Sequence, residues 1–511
     1  WIQQRPFDWR DAVIYQVFVD RFARDRGEPL EDGPTISHYH KGNLYGVIAA
    51  IEDGYFDELG VNVLWVSPLY DNPEGTFIGR DGHQAQAYHG YWPADPRGVE
   101  ERFGGQVALD QLIQVAHARG LRVMMDTVLN HLHVEHPYYI ENAGTDWFNN
   151  PEGDCICGVS CSWGTHMQTC WFDPFLADLR WENQDVVDSM LADALYWLER
   201  FDLDGLRLDA VPMMPRMAMR HLRHRIVQRS AGAGPHVYLL GETYTGSDGQ
   251  GQIRYYLGEH GLSGQFDFPV MWALRYALSG TITMAELDTQ VRNSAQAWAG
   301  SGAIMSPFLG NHDVPRFLSD INGDEVWQPR VNQPQAPVIE APYDLLRMAW
   351  TFVMTQPGAP SIYYGDEFGM PGANDPDNRR NMRFGAALDG REQKVLDHVR
   401  QLSTARRCTD ALRRGVRRTL MAHENFYVYG RDAGDGHPAL VVLNRSLLPR
   451  TVEIEIPAQW SLAPDAQFQD VLGATVQKRG RILQVHVGPR ASALLLDANK
   501  TGDCLNPTGT P

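Results

Sequence analysis

Apolar residues follow two rhythms along this chain. Short runs that are apolar at nearly every position predict strands covered on both faces. They occur at "AVIYQVFVDRF" (12–22), "VNVLWVSP" (61–68), "LRVMMDTVLNH" (121–131), "DGLRLDAV" (204–211), "VYLLGET" (237–243), "GQFDFP" (264–269), "AIMSPFLGNHD" (303–313) and "APSIYYGDE" (359–367). Between them lie stretches whose apolar residues recur at three- and four-residue steps, among them 106–120, 184–201, 343–354 and 392–407, and these predict helices. Eight strand–helix repeats over about 400 residues predict an α/β protein built on a (β/α)8 TIM barrel. A doubly wound open sheet would want a Gly-rich phosphate turn after the first strand, and none is present there.

The rhythm changes twice. Residues 132–178 separate the third strand from its helix and hold four of the six cysteines, which predicts an inserted domain after strand 3. From residue 409 onward, alternating runs such as "NFYVYGR", "PALVVLNRS", "RTVEIEIP" and "ASALLLD" predict a C-terminal all-β sandwich domain with a tail, 409–511. The barrel is then expected to comprise 1–131 and 179–408.

Composition narrows the partners. The chain of 511 residues is 43% hydrophobic and carries a net charge of −18, with no Lys/Arg run to track a phosphate backbone, so nucleic acid is not expected as a partner. No apolar run approaches the roughly 18–20 residues that span a bilayer, so no membrane association is expected. The chain starts at Trp1 rather than Met, as expected of a processed or trimmed form with any targeting segment out of view.

Polar residues collect at the C-terminal ends of the expected strands, the face where barrel active sites sit. Asp126, Asn130 and His131 end the third, Arg207 and Asp209 the fourth, Glu242 the fifth, and His312 and Asp313 the seventh. Burying charge in an apolar strand costs several kcal/mol per ion unless the ions are paired. Arg207 and Asp209 share one face of their strand because side chains alternate with period two. A neighbouring Arg keeps a carboxylate ionised, while like charge and burial raise the pKa of another. A retaining glycosidase needs this division between nucleophile and acid/base. Asp209 is therefore the candidate nucleophile and Glu242 the candidate acid/base.

"DTVLNH" (126–131), "GLRLDAV" (205–211), "GET" (241–243) and "FLGNHD" (308–313) resemble, in order, the four signature segments of the alpha-amylase family of glycoside hydrolases. The resemblance covers roughly residues 11–500. It implies Asp209 as nucleophile, Glu242 as acid/base and Asp313 as transition-state stabiliser, with Arg207, His131 and His312 around the sugar beside the cleaved bond. "AYHGYW" (87–92) resembles the segment whose Tyr stacks on that sugar, which implies this role for Tyr91, hydroxyl contacts for His89 and a place along the cleft for Trp92. "GANDPDNRR" (372–380) resembles the loop that binds units towards the non-reducing end, and implies Asp375 and Arg379 there. Ca²⁺ is the implied cofactor, held by Asn130, Asp178 and the Met213 carbonyl, oxygen donors that suit this ion. Pro212 and Met213 stand where many alpha-amylases have Lys-His, so the aglycone contact of that Lys is lost.

Three functions are compatible with these residues. The first is hydrolysis of α-1,4-glucosidic bonds in starch or maltooligosaccharides by double displacement. The second is transfer by the same machinery, as in maltogenic or cyclodextrin-degrading amylases, glucosyltransferases or trehalose-forming enzymes. The third, a non-catalytic carbohydrate-binding relative, typically loses carboxylates that this chain keeps. The partner is expected to be an α-glucan.

Four cysteines lie within "CICGVSCSWGTHMQTC" (155–170), too dense for packing alone and spaced poorly for zinc. Starch is too large to enter a cell, so disulfides and a secreted or periplasmic location support each other. Cys155 and Cys157 are too close to pair with one another, so each is expected to join Cys161 or Cys170, leaving Cys408 and Cys504 to pair.

Overall fold

The computed structural model of the chain describes residues 7–25, 28–230 and 237–505; the outermost residues of the two expected terminal domains, 1–6 and 506–511, lie outside that set. Seven parallel strands form one curled sheet: β1 (Ile14–Val17), β2 (Val63–Val66), β3 (Arg122–Thr127), β4 (Gly205–Leu208), β5 (Tyr238–Gly241), β6 (Gly264–Gln265) and β7 (Ser361–Tyr363), in the spatial order β6-β5-β4-β3-β2-β1-β7. The expected seventh strand, 303–313, is not a regular strand. Its residues close the barrel between β6 and β7 through single parallel bridges, Phe266 to Ser306 and Phe308 to Ser361. Ser306 N–H donates to Gln265 O and Ser361 N–H to Pro307 O, each at 2.9 Å. Pro307 has no N–H to give to a ladder, which is why this stave stays irregular.

Strand alternation sorts the side chains. Ile14, Val63, Trp65, Met124, Tyr238, Leu240, Phe266 and Phe308 pack together inside the barrel, while Tyr15, Leu64, Val123, Leu206 and Leu239 belong to the larger core under the helices. Gly205 is required at the inner layer: a Cβ there would lie 2.6 Å from Tyr238 O and 2.9 Å from Met124 Cγ. Continuing the inward face by steps of two leads from Met124 to Asp126, from Gly205 to Arg207 and Asp209, and from Leu240 to Glu242. The barrel thus changes from apolar to charged within one side-chain layer.

The helices follow their sequence signals. Gln184–Arg200 starts at Asn183, whose side chain accepts from Asp185 N–H, and buries Val186, Met190, Leu191, Trp197 and Leu198. Gly390–Cys408 opens with a reciprocal Asp389/Glu392 capping box.

Five antiparallel strands beginning at Val416–Ala422 form one sheet of the C-terminal sandwich, and three more form the other. Val428, Leu440 and Val442 of the first pack against Val452, Ile454, Leu483 and Val485 of the second. The opposite face of the five-stranded sheet, with Tyr427, Tyr429, Val441 and Leu494, joins the barrel core. The C-terminal segment is not purely β, because Ala498–Leu505 is a helix. Three disulfides join Cys155 to Cys161, Cys157 to Cys170 and Cys408 to Cys504.

Candidate active site

Arg207 organises the carboxylates. It is fully buried and pairs through Nη1 with Asp126 Oδ1 at 2.8 Å and Asp209 Oδ1 at 2.7 Å, while Nη2 lies 3.6 Å from Glu242 Oε2. The register explains the first contact, since Asp126 on β3 is directly opposite Arg207 on β4. Asp126 also accepts from Trp65 Nε1 at 3.1 Å and Tyr91 Oη at 2.7 Å, so one buried carboxylate holds the guanidinium and the Tyr91 ring together. Burial, opposed by Arg207, pushes Asp126 up to about 6.

Glu242 is pushed up to about 8. Burial is the largest cause; Asp209 and Asp313 add to it, and Arg207 and the Ala210 N–H oppose it. Its carboxyl is therefore protonated at neutral pH, the form a general acid must start in. Ala210 stands in the left-handed region with φ 46°, a turn that aims its N–H at Glu242 Oε2 at 3.0 Å.

A cavity of about 790 Å³ opens over these groups. Its wall includes Asp209, Glu242, Asp313, His89, Tyr91, Trp92, His131, His312, Asp375, Arg379 and Met213. Tyr91 stacks on His312, with ring centroids 5.1 Å apart and planes 16° apart. His312 Nε2 faces Asp313 Oδ2 at 3.1 Å and its Nδ1 meets Gln16 Nε2 at 2.7 Å. Burial drives His312 and His89 well below the ordinary histidine range, and nearby arginines add to this, so both rings are neutral. His131 is lowered by burial against the opposing charge of Asp209, and Tyr91 O accepts from its Nε2 at 3.0 Å. Arg379 joins Asp375 at 2.9 Å and Asp313 at 3.3 Å, linking the 372–380 loop to the carboxylate cluster.

Three of the sequence-predicted residues stand outside the cavity wall. Arg207 lies behind it, fully buried, and acts on the site through the carboxylates it pairs with. Asn130 and Asp178 form a separate buried corner, where Asp178 Oδ1 accepts from Asn130 Nδ2 at 3.0 Å and Oδ2 from Asn149 Nδ2 at 2.8 Å. The Asn149 amide also meets Gln168 O, and Gln168 Nε2 donates to the carbonyls on either side of Met213, those of Pro212 and Met214. Among the described residues no ion pair joins Asp178, and burial drives its carboxyl well above the ordinary range. A buried carboxylate with only neutral partners, bordered by amides and carbonyls, fits a hard cation by donor chemistry. Among the described residues no group of three or more His, Cys, Asp or Glu side chains is placed to hold a metal ion, so any ion here would rely on amide and carbonyl oxygens beside the Asp178 carboxylate.

The structure gives parts to residues for which the motifs implied none. Gln16 orients His312, and Trp65 and Asp126 hold the Tyr91–Arg207 pair. Trp163, Phe172 and Tyr244 add aromatic surface to the wall. Asp126 is visible in the sequence as a polar residue at a strand end, whereas Trp65 reads there only as part of an apolar strand; Gln16 pairs across 296 residues, and nothing local announces it.

Carboxyl groups gathered on one guanidinium at the C-terminal mouth of a (β/α)8 barrel define a glycosidase-type active site. The family model for the alpha-amylase catalytic domain matches residues 16–402, and the chain belongs to the alpha-amylase family of glycoside hydrolases. It is 27% identical over 476 residues to a cyclomaltodextrinase of Geobacillus thermopakistaniensis (strain MAS1), covering 88% of this chain and 71% of that one. It is 28% identical over 489 residues to a cyclomaltodextrin glucanotransferase of Thermoanaerobacterium thermosulfurigenes, covering 90% and 63%. The solved alpha-amylase of Geobacillus thermoleovorans in complex with acarbose superposes with a TM-score of 0.78 at 25% identity, covering 96% of this chain and 99% of that one.

Proposed function

We propose that this chain cleaves α-1,4-glucosidic bonds of starch-type glucans or maltooligosaccharides with retention of configuration. The observation that carries this reading is the sharing of one buried guanidinium, Arg207, by Asp209 and Glu242. Asp209 attacks the anomeric carbon, the bond to the leaving oxygen breaks with its electron pair, and Glu242 gives that oxygen its proton. In the second half, Glu242 takes a proton from the acceptor hydroxyl, whose oxygen attacks the anomeric carbon while the ester bond to Asp209 breaks. Asp313, held by Arg379 and His312, accepts hydrogen bonds from the sugar hydroxyls as charge develops at the ring. Tyr91 stacks on the ring beside the cleaved bond, with His89, His131 and Trp92 around it, and Asp375 and Arg379 bind the unit beyond.

The acceptor in the second step is water in hydrolysis and a sugar hydroxyl in transfer. Apolar lining from Pro212, Met213, Met167, Trp163 and Phe172 in the cavity that holds Asp209 favours a sugar acceptor as well as water, so transglycosylation is the second reading. Both agree with the cyclomaltodextrinase and glucanotransferase among the relatives. Asn130, Asp178 and the Met213 carbonyl would hold Ca²⁺, which when bound supplies charge neutralisation and stiffness rather than chemistry. The three disulfides support a secreted or periplasmic location. Among the described residues no helix is long and apolar enough to cross a membrane.

The test is the configuration of the first product. NMR of fresh digests of maltooligosaccharides is expected to show the α-anomer before mutarotation. The β-anomer appearing first would refute double displacement.

A further inference from the structure

We propose that Trp272, Tyr276 and Trp327 form a second carbohydrate-binding platform, outside the cavity, that holds a distal stretch of the same α-glucan chain whose reacting bond lies at Asp209. The proposal rests on the α-glucan reading of the site given above. Trp272 and Tyr276 sit one turn apart on the helix Phe268–Ser279 and stack at 6.4 Å with planes 22° apart. Trp327, from the segment after Phe317–Asn322, brings its ring to 6.4 Å from Trp272. Tyr276 is 42% and Trp327 54% exposed, whereas Trp272 between them is 8% exposed. Large rings grouped on the surface around a buried one are a built feature, since scattered single exposed aromatics are the ordinary case.

The Trp272 ring and the backbone that carries Trp327 are held in place. Trp272 Nε1 donates to Thr245 O at 2.9 Å. Trp327 N–H donates to Glu325 Oε1 at 3.0 Å, and the carbonyl of buried Val326 accepts from Asn374 N–H at 2.7 Å. Rigid aromatic faces lose little entropy on binding, which suits the apolar C–H faces of a sugar ring.

Continuity with the cleft decides the occupant. Thr245, which anchors Trp272, follows Tyr244, which is 46% exposed, packs on Phe268 at 5.1 Å and lines the catalytic cavity. On the other side, Asn374, which anchors the Trp327 segment, precedes Asp375 of the cavity wall. The platform therefore borders the cleft through two of its own loops. The guanidinium of Arg275 lies 5.8 Å from the Trp272 ring and is taken up by Asp320 and by the Leu309 and Pro315 carbonyls. With its cation already paired, the surface suits a neutral polyol rather than an ionic partner.

The test compares long and short substrates in the intact protein. For Tyr276→Ala, Trp327→Ala and the double variant, kcat/KM on soluble amylose is expected to fall about three- to tenfold while kcat/KM on maltotriose stays at the wild-type value. Trp327→Tyr keeps a stacking face and is expected to restore most of the loss. Binding is read separately from turnover by titrating the tryptophan fluorescence with maltoheptaose, with Trp327→Phe identifying the signal. Parallel losses on both substrates, no loss on either, or a fluorescence response unchanged by Trp327→Phe would overturn the platform. A wild type that binds maltoheptaose at Trp327 yet cuts neither substrate would overturn the cleft reading and leave the platform standing.

Discussion

The backbone N–H of Ala210 donates to Oε2 of Glu242 at 3.0 Å, so the residue that follows Asp209 in the chain is fastened to the carboxyl on the neighbouring strand. Val211 N–H donates to Glu242 O at 3.0 Å and Glu242 N–H to Leu208 O at 2.9 Å. These ties span the mouth between β4 and β5 and fix the two carboxyl groups relative to each other before any substrate enters.

The two carboxyl groups are expected to fail differently. Asp209→Asn and Glu242→Gln should each lower kcat on maltooligosaccharides by at least about a thousandfold with the melting curve unchanged. A substrate with fluoride as leaving group needs no proton from the enzyme, so α-glucosyl fluoride should restore the first step in Glu242→Gln but not in Asp209→Asn. Equal rescue of both variants, or of neither, would show the roles to be wrongly divided.

The pH profile follows from the same carboxyl. Glu242 is raised to about 8, chiefly by burial, and as the proposed general acid it must carry its proton to act. The rate should hold through neutral pH and fall about tenfold per unit above that value. Measured kcat/KM that already declines between pH 5 and 6 on its alkaline side would contradict the burial argument.

Stability carries a separate pH signature in the barrel wall. Glu367 accepts hydrogen bonds from Tyr15 and Tyr55, and burial raises it to about 7. Its folded pKa lies above the unfolded value near 4.5, so its stabilising effect is complete below about pH 4.5 and is lost as pH rises through about 7. Glu367→Gln should reduce the fall of the melting temperature between pH 5 and 8, leaving the part due to other buried carboxyls such as Glu242 and Asp126; a variant as steep as the wild type would assign the slope wholly to those groups.

Metal removal addresses the Asp178 corner. An ion bound only by the folded state stabilises it by mass action, so exhaustive chelation should lower the melting temperature and added Ca²⁺ should restore it. Asp178→Ala should abolish that response. An unchanged melting temperature together with no metal by elemental analysis would remove Ca²⁺ from the description.

The disulfides give a count. Thiol titration of the denatured, unreduced protein should find no free thiol, because all six cysteines are paired. Two reactive thiols would break one of the three bonds, and more would undermine the argument for export.

Legibility in the sequence tracked the physics of each element. The strands around Leu64, Val123 and Leu239 stand out because both their faces are buried. Arg207 and Asp209 stood out because charge in an apolar strand demands a reason. The stave 303–308 was readable as apolar but not as irregular, since Pro307 alters its ladder without altering its hydrophobicity. Gln16 and Trp327 were illegible for another reason: their partners His312 and Trp272 are remote in sequence, and no period marks the pairing. Asp126 was placed at the right strand end, but its grip on both Tyr91 and Arg207 needed the register between β3 and β4.

The bond between Cys408 and Cys504 spans 96 residues, from the end of the Gly390–Cys408 helix to the C-terminal helix. Every strand of the sandwich lies between those two cysteines, so the sandwich is a covalent ring hung from one point of the barrel. A protease that severs any one of its loops opens the ring without releasing a fragment, and the nicked enzyme runs as a single species until a reductant is added. In surroundings rich in proteases, a single cut anywhere between those two cysteines detaches nothing.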